Sequence, residues 1–382
     1  MHFAVKRSIL MENLNIVQRS IPLKTTITTI QGVLLQVKNN CLTMISNNLE
    51  MSIKAVCEDI QVIEEGRVVL PGEIVDILKQ SPHEDVEIKM APGDFRTEII
   101  SGKANFFLYG MDPEEFPSFK EDSQWRKWGS IEFSANEFKN ILRKVNFAVS
   151  HDEGKPSFRG VLFQVDDHNN VSFISSDTYR LAHLNILKRK KEIEPLQLLI
   201  PGKTLLEIAK ILDDSDEMIQ CYFQENEIIF SYRQFLFAGR LIENKFPDLT
   251  NVFPKGFVTK ILVNTRVMEK SIGRASLLAH GYNQMISLHI KDNILQVKSG
   301  SEVGRMEEEL ILERKEGDDL EEILLNARYI LDPLRVLNDE YTEIDFNGSY
   351  GPCIINSEEQ IDEDTSKYRY LVLPIKVDKK SI

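Results

Sequence analysis

The chain has 382 residues, 42% hydrophobic and 27% charged, with a formal net charge of −13. That length exceeds one ordinary core and predicts two to four domains of roughly 100–200 residues each. The composition excludes a disordered chain, the lack of any 18-residue apolar run excludes a membrane-spanning helix, and the acidic total argues against general nucleic-acid affinity unless the charge is unevenly spread.

The N-terminus, "MHFAVKRSILMENL", lacks the apolar core and small-residue cleavage site of a secretory leader, so a cytoplasmic location is expected. A short strand, "HFAVKR", leads into a stretch with helical spacing at Leu10, Leu14 and Val17, and alternating strands follow, beginning with "QGVLLQV" at Gln31 to Val37. "RVVLP" then enters a second helical stretch, "GEIVDILKQ", and "VEIKM", "FRTEII" and "ANFFLYGM" read as further strands.

The order then begins again. "GSIEFS" precedes a helix marked by Phe138, Ile141, Leu142 and Val145, and "RGVLFQV" (Arg159 to Val165) returns 128 residues after "QGVLLQV". "VLPGEIVDILK" returns as "LIPGKTLLEIAK", and "EEFPSF" as "NKFPDL", with Pro71 and Pro201, and Phe116 and Phe246, each 130 apart. Three markers in one order, with offsets agreeing within two residues, define an internal duplication. A fainter third copy carries a helix at Met268, Ile272 and Ala275, then "MISLHIKDNILQV" and "LNARYILDPLRVL" at an offset of about 125. The expected fold class is α+β: three tandem domains, 1–128, 129–255 and 256–382, each of two βαβββ halves, with the helices on one face of antiparallel sheets. Pro71 and Pro201 are expected near the first turns of their helices, where a missing N–H costs little.

Sorted by element, the charge is uneven. The six helical stretches sum to +7, leaving −20 for everything else. A basic helical face holding phosphates without reading bases fits that partition, as do solvated surface charges. Stacking aromatics are missing from these helices, which disfavours a single-strand binder.

Motifs for chemistry fail. "PGKT" (Pro201 to Thr204) lacks the upstream glycine of a phosphate loop, since residue 197 is Gln197. Cys41, Cys57, Cys221 and Cys353 lie far apart without CxxC, the histidines have no metal-ligand spacing, and no GxSxG elbow occurs. Neither enzyme activity nor a metal or cofactor is expected. "DDHNN" (Asp166 to Asn170) reads as a hairpin turn. The copies part company where "SNNLEMSIKA" faces "SSDTYRLAHL": Glu50 and Met51 become Tyr179 and Arg180, residue types favoured at binding hot spots.

The tripled strand-helix order, "SSDTYRLA", "NKFPDL" and a C-terminal "YLVLPIK" together resemble the bacterial DNA polymerase III beta subunit family, the sliding clamps, over essentially the whole chain. The resemblance implies a non-enzymatic, head-to-tail homodimeric ring with helices lining a pore around duplex DNA. It also implies tethering of DNA polymerase and clamp-loader subunits through linear peptides. Carried over by position, the peptide pocket is Ser176, Tyr179, Arg180, Leu181, Pro247, Val252, Leu371, Leu373, Pro374 and Ile375. The implied dimer interface is Phe106 and Leu108 with Leu277 and Leu278, the latter pair after the third copy's first helix. The implied DNA contacts are Lys24, Lys155, Lys203 and Lys210, to which helix position adds Arg143 and Lys144.

Three departures from the family stand out. Tyr179 occupies a position usually His, and Thr178 one usually Gly or Ser. Pro333 falls within the last helical stretch, so Asp332 is expected to cap a late start or the helix to kink. "VDKKSI" extends past Lys376. These departures suit a divergent second copy of the clamp. The alternative reading is a repeat-built protein-interaction scaffold that does not encircle DNA.

Overall fold

The computed structural model describes residues 1–91, 93–119, 125–187, 194–224, 226–249, 251–279, 284–361 and 364–376; the "VDKKSI" extension lies outside them. Among the described residues are six α-helices: α1 (Arg7–Val17), α2 (Ile74–Gln80), α3 (Ala135–Val145), α4 (Gly202–Ala209), α5 (Thr265–Leu278) and α6 (Ala327–Val336). Each follows a strand and precedes three more, so the βαβββ half occurs six times. The apolar spacing predicted for α1, α3 and α5 is the spacing that is buried: Leu10, Leu14, Val17; Phe138, Ile141, Leu142, Val145; Met268, Ile272, Ala275. Each large side chain buried this way contributes roughly 1.5–3 kcal/mol.

Pro71 and Pro201 stand just ahead of the first helical turns, not within them. They end the strands Gly66–Pro71 and Leu196–Pro201, opposite Gly32 and Gly160. A missing N–H is tolerated at a strand end, and the helices start beyond, at Ile74 and Gly202. The paired glycines explain the shared "GVL": a Cβ on Gly32 would overlap the Leu70 carbonyl oxygen, and one on Gly160 the Ile200 carbonyl oxygen.

Packing divides the chain into two compact units, Met1–Phe138 with Glu207–Leu241, and Lys139–Leu206 with Ile242–Ile382. All named strand pairings are antiparallel. The first unit contains a five-stranded sheet in the order Ile60–Glu64, His2–Lys6, Asp85–Met90, Arg96–Ser101, Ala104–Tyr109. Its eight-stranded sheet runs Gly129–Ser134, Met218–Gln224, Glu227–Tyr232, Phe235–Arg240, Met51–Cys57, Cys41–Asn47, Gly32–Lys38, Gly66–Pro71. The second unit has a nine-stranded sheet, Leu196–Pro201, Gly160–Val165, Val171–Ser176, Arg180–Leu187, Asp364–Val372, Cys353–Ile361, Tyr341–Phe346, Thr259–Asn264, Arg314–Gly317. Its four-stranded sheet runs Gly304–Ile311, Ile294–Ser301, Met285–Lys291, Leu320–Asn326. The two large sheets each join the last strand of one repeat to the third β-strand after the first helix of the preceding repeat, Phe237 opposite Ile53 and Leu371 opposite Leu181.

Pro333 lies inside α6, and Asp332 is not its cap. Asn326 is: its side chain accepts from the backbone N–H groups of Arg328 (2.9 Å) and Tyr329 (3.3 Å). Pro333 offers no N–H to the Tyr329 carbonyl one turn back. The Tyr370 hydroxyl donates to that carbonyl instead, at 2.7 Å. Tyr370 is fully buried, and burial raises its pKa, so the hydroxyl stays protonated.

Candidate functional site

In the second unit, "SSDTYRLA" forms a tight turn between Val171–Ser176 and Arg180–Leu187. Thr178 takes φ 81°, a left-handed backbone unusual for a residue with a β-branched side chain. Asp177 holds the turn, its carboxylate accepting from the N–H groups of Tyr179 (3.0 Å) and Arg180 (3.1 Å). Ser176, also buried, donates from its hydroxyl to the Arg180 carbonyl at 2.7 Å. Ser175 donates to the Val145 carbonyl at the end of α3.

Arg180 points inward. Its guanidinium pairs with Asp177 (2.9 Å) and Asp332 (2.6 Å), donates to the Phe147 carbonyl (2.8 Å), and lies 4.4 Å from the Tyr329 ring centroid. Burial opposes its charge, but the Asp332 and Asp177 carboxylates outweigh that and hold its pKa above the ordinary value. With 6% exposure Arg180 is a bolt fixing the turn to α6, rather than a group presented to a ligand.

Tyr179 is the exposed counterpart, at 57%. The Lys155 ammonium lies 5.3 Å from its ring centroid and donates to the Thr178 hydroxyl at 2.9 Å. Lys155, expected among phosphate contacts, therefore packs beside this turn. The Tyr179 carbonyl accepts from Leu373 N–H at 2.9 Å, continuing the pairing of Arg180–Leu187 with Asp364–Val372. Leu181, Leu371 and Ile354 form an apolar cluster, with Ile174, Leu249 and Phe253 packed against it. Burial and the Arg369 charge pull the His183 pKa down to about 4, so His183 is uncharged near pH 7.

The structure thus brings together Ser176, Tyr179, Arg180, Leu181, Leu371 and Leu373. Pro374 and Ile375 follow, half-buried, with Ile375 N–H bonded to the Leu324 carbonyl at 2.8 Å. Pro247 and Val252 are exposed, and it is their neighbours Leu249 and Phe253 that join the apolar cluster. Sequence reasoning missed Asp332, Phe147 and Ile354, distant in the chain, and Asp177, whose place in "SSDTYRLA" was a usable signal.

The basic positions divide. Lys24, Arg143, Lys203 and Lys210 are exposed, Lys210 in an ion pair with Glu207 at 2.6 Å. Lys144 is 3% exposed and has partners of its own, a correction to its pairing with Arg143: one helical step of about 100° turns it from the exposed face of α3 to the buried one, and a buried ammonium does not meet a phosphate. Phe106 and Leu108 lie half-buried on the edge strand Ala104–Tyr109. Leu277 and Leu278 are the last residues of α5 rather than lying after it, Leu277 being 71% exposed. Gly304–Ile311 is a second open edge, with Ile311 87% exposed. Among the described residues no cluster able to hold a metal ion occurs, and no helix is long and apolar enough to cross a membrane.

Family models for the N-terminal, central and C-terminal domains of the DNA polymerase III beta subunit match residues 1–120, 132–248 and 250–376, in that order. The beta sliding clamp of Staphylococcus epidermidis is 33% identical over 98% of this chain and 99% of its own length. The crystal structure of the Bacillus subtilis DNA polymerase sliding clamp superposes with a TM-score of 0.91 at 29% identity, covering 99% of this chain and all of that one. The beta chain of DNA polymerase III from Streptococcus pneumoniae gives 0.90 at 26% identity, over 98% of this chain and 100% of its own.

Proposed function

Because the chain belongs to the DNA polymerase III beta subunit family, the bacterial sliding clamps, we propose that it works as that family's processivity factor: two copies close head to tail around duplex DNA and tether a polymerase through linear peptides. The observation that carries this reading is the match of all three domains in order, together with 33% identity across 98% of the chain. The scaffold alternative is not favoured by it.

The roles of individual residues follow from chemistry. The cleft around Tyr179 and Leu371 offers an apolar floor for peptide anchors and a cationic, aromatic rim for orientation. Arg180 acts there through the turn it positions. Lys24, Arg143, Lys203 and Lys210 supply exposed positive charge for phosphates, without base readout. The edges Ala104–Tyr109 and Gly304–Ile311 suit strand pairing between copies, which would relieve the aggregation hazard of two open edges. Tyr179 and Thr178 mark the chain as a divergent clamp with its own peptide preference; equal affinity for a standard clamp-motif peptide beside a housekeeping clamp, with full complementation of replication, refutes that refinement.

The ring reading is tested by loading the protein on closed circular DNA with a clamp loader and then linearising the DNA. A topologically held ring slides off the ends. Retention on the linear DNA with unblocked ends overturns the ring.

A further inference from the structure

The first repeat carries the same turn with a different lining. Leu49 takes φ 72° where Thr178 takes 81°. Asn48 accepts from Glu50 N–H (3.0 Å) and Met51 N–H (2.7 Å), as Asp177 does from Tyr179 and Arg180. Ser46 donates to the Val17 carbonyl at the end of α1, as Ser175 does to Val145 at the end of α3. Arg240 N–H donates to the Glu50 carbonyl at 3.0 Å, matching Leu373 and Tyr179 at 2.9 Å. Even the apolar backing repeats, Phe119 and Ile45 standing where Leu249 and Ile174 stand.

A cavity of about 230 Å³ opens at this turn, within the first unit, walled by Leu49, Met51, Phe119 and Ile229. It is smaller than the roughly 300–1,000 Å³ of small-molecule sites, so it suits one or two side-chain anchors of a peptide rather than a cofactor. Met51 is buried where the second repeat has the Arg180 ion cluster, and a thioether adapts its shape to an apolar guest. Glu50, Glu227 and Arg240 line the opening, Arg240 being the one cation among the described lining residues; Glu227 lies opposite Arg240 across the strands and has partners of its own, so Glu50 supplies the uncompensated negative charge. Glu50 is exposed and makes no ion pair with another described residue. Lys54, 5.7 Å from the Phe119 ring centroid, is not part of the lining and has further partners of its own.

We propose that this cleft is a second docking site, taking a partner-protein peptide with an apolar anchor followed by basic residues. Its scaffold comparison rests on the peptide reading of the Tyr179 cleft, but its measurement does not. Two acetylated hexapeptides, Gly-Leu-Phe-Lys-Lys-Gly and Gly-Leu-Phe-Glu-Glu-Gly, are titrated into full-length protein carrying ¹³C-methyl methionine, the Met51 signal being assigned by Met51→Leu. The lysine peptide is expected to shift Met51 saturably and to bind several-fold tighter than the glutamate peptide. Glu50→Lys, at an exposed site, should weaken the lysine peptide about three- to tenfold and reverse the preference. Tyr179→Ala should leave the Met51 titration unchanged even if it abolishes binding at the other cleft. A Met51 signal unmoved at several millimolar peptide, equal affinity for both peptides, or a titration that follows Tyr179→Ala instead of Glu50→Lys overturns the proposal.

Discussion

Replacing Tyr370 by Phe removes one oxygen atom and should loosen a helix belonging to a different part of the chain. The Tyr329 carbonyl lost its helical donor to Pro333 and receives the Tyr370 hydroxyl at 2.7 Å. Leaving a buried acceptor unsatisfied costs roughly 1–3 kcal/mol, and because Tyr329 is only half-buried the lower part of that range applies, about 1–1.5 kcal/mol. A chain with two compact units need not unfold in one step, so the local readout is amide exchange within Ala327–Val336, expected to accelerate about five- to tenfold. Pro333→Ala supplies the missing N–H. In that background Tyr370→Phe should cost much less, giving a coupling of about 1 kcal/mol in the double-mutant cycle. Equal exchange in wild type and Tyr370→Phe, or equal cost in both backgrounds, refutes the idea that the hydroxyl stands in for the proline's missing hydrogen.

Arg180→Ala strands Asp177 and Asp332 without their cation, and breaking such a buried pair costs about 3–5 kcal/mol; a thermal midpoint unchanged from wild type contradicts the bolt described here. His183 has a folded-state pKa depressed to about 4 from 6.5, so the unfolded chain takes up the proton first. Stability is therefore intact above about pH 6.5 and falls as the pH drops toward 4, by about 3 kcal/mol, and urea midpoints of His183→Gln should show a shallower fall over that window. Leu277→Glu should leave the fold intact, since the side chain is 71% exposed, yet shift sedimentation toward monomer; an undisturbed dimer removes Leu277 from the proposed interface. Arg143→Glu should reduce the salt dependence of DNA association by about one contact's worth, whereas no change in slope assigns Arg143 to solvent.

The repeat was legible because strand and helix cores reuse the same side chains at the same steps: Leu10, Leu14 and Val17 needed only their spacing to be placed. The proposed peptide site was legible only by resemblance, and then incompletely. Arg180 reads as a binding residue in "SSDTYRLA", but its partners Asp332 and Phe147 come from segments that no local pattern connects to it. Lys144 and Arg143 look alike in sequence, yet one helical step of about 100° separates a buried face from an exposed one. Asp332 beside Pro333 suggested a cap, while Asn326, six residues earlier, had the better geometry because it precedes the first helical turn. The likeness of the turns at Glu50 and Tyr179 was hidden for the opposite reason. Their side chains differ, and what they share is backbone.

The large sheets also separate covalent order from structural order. The chain enters the first unit, leaves after Phe138, returns at Glu207 and departs again at Leu241. Genetic repeat and packing unit are consequently half a period out of phase, and a scissor cut at either repeat boundary would free no self-sufficient piece, because each fragment would part from strands that finish its sheet. What remains unmated in one chain is a five-stranded remainder at one end of the series and a four-stranded remainder at the other. On the proposed pairing of Ala104–Tyr109 with Gly304–Ile311 between copies, those five and four strands would make one further sheet, as wide as the nine-stranded sheet within the second unit.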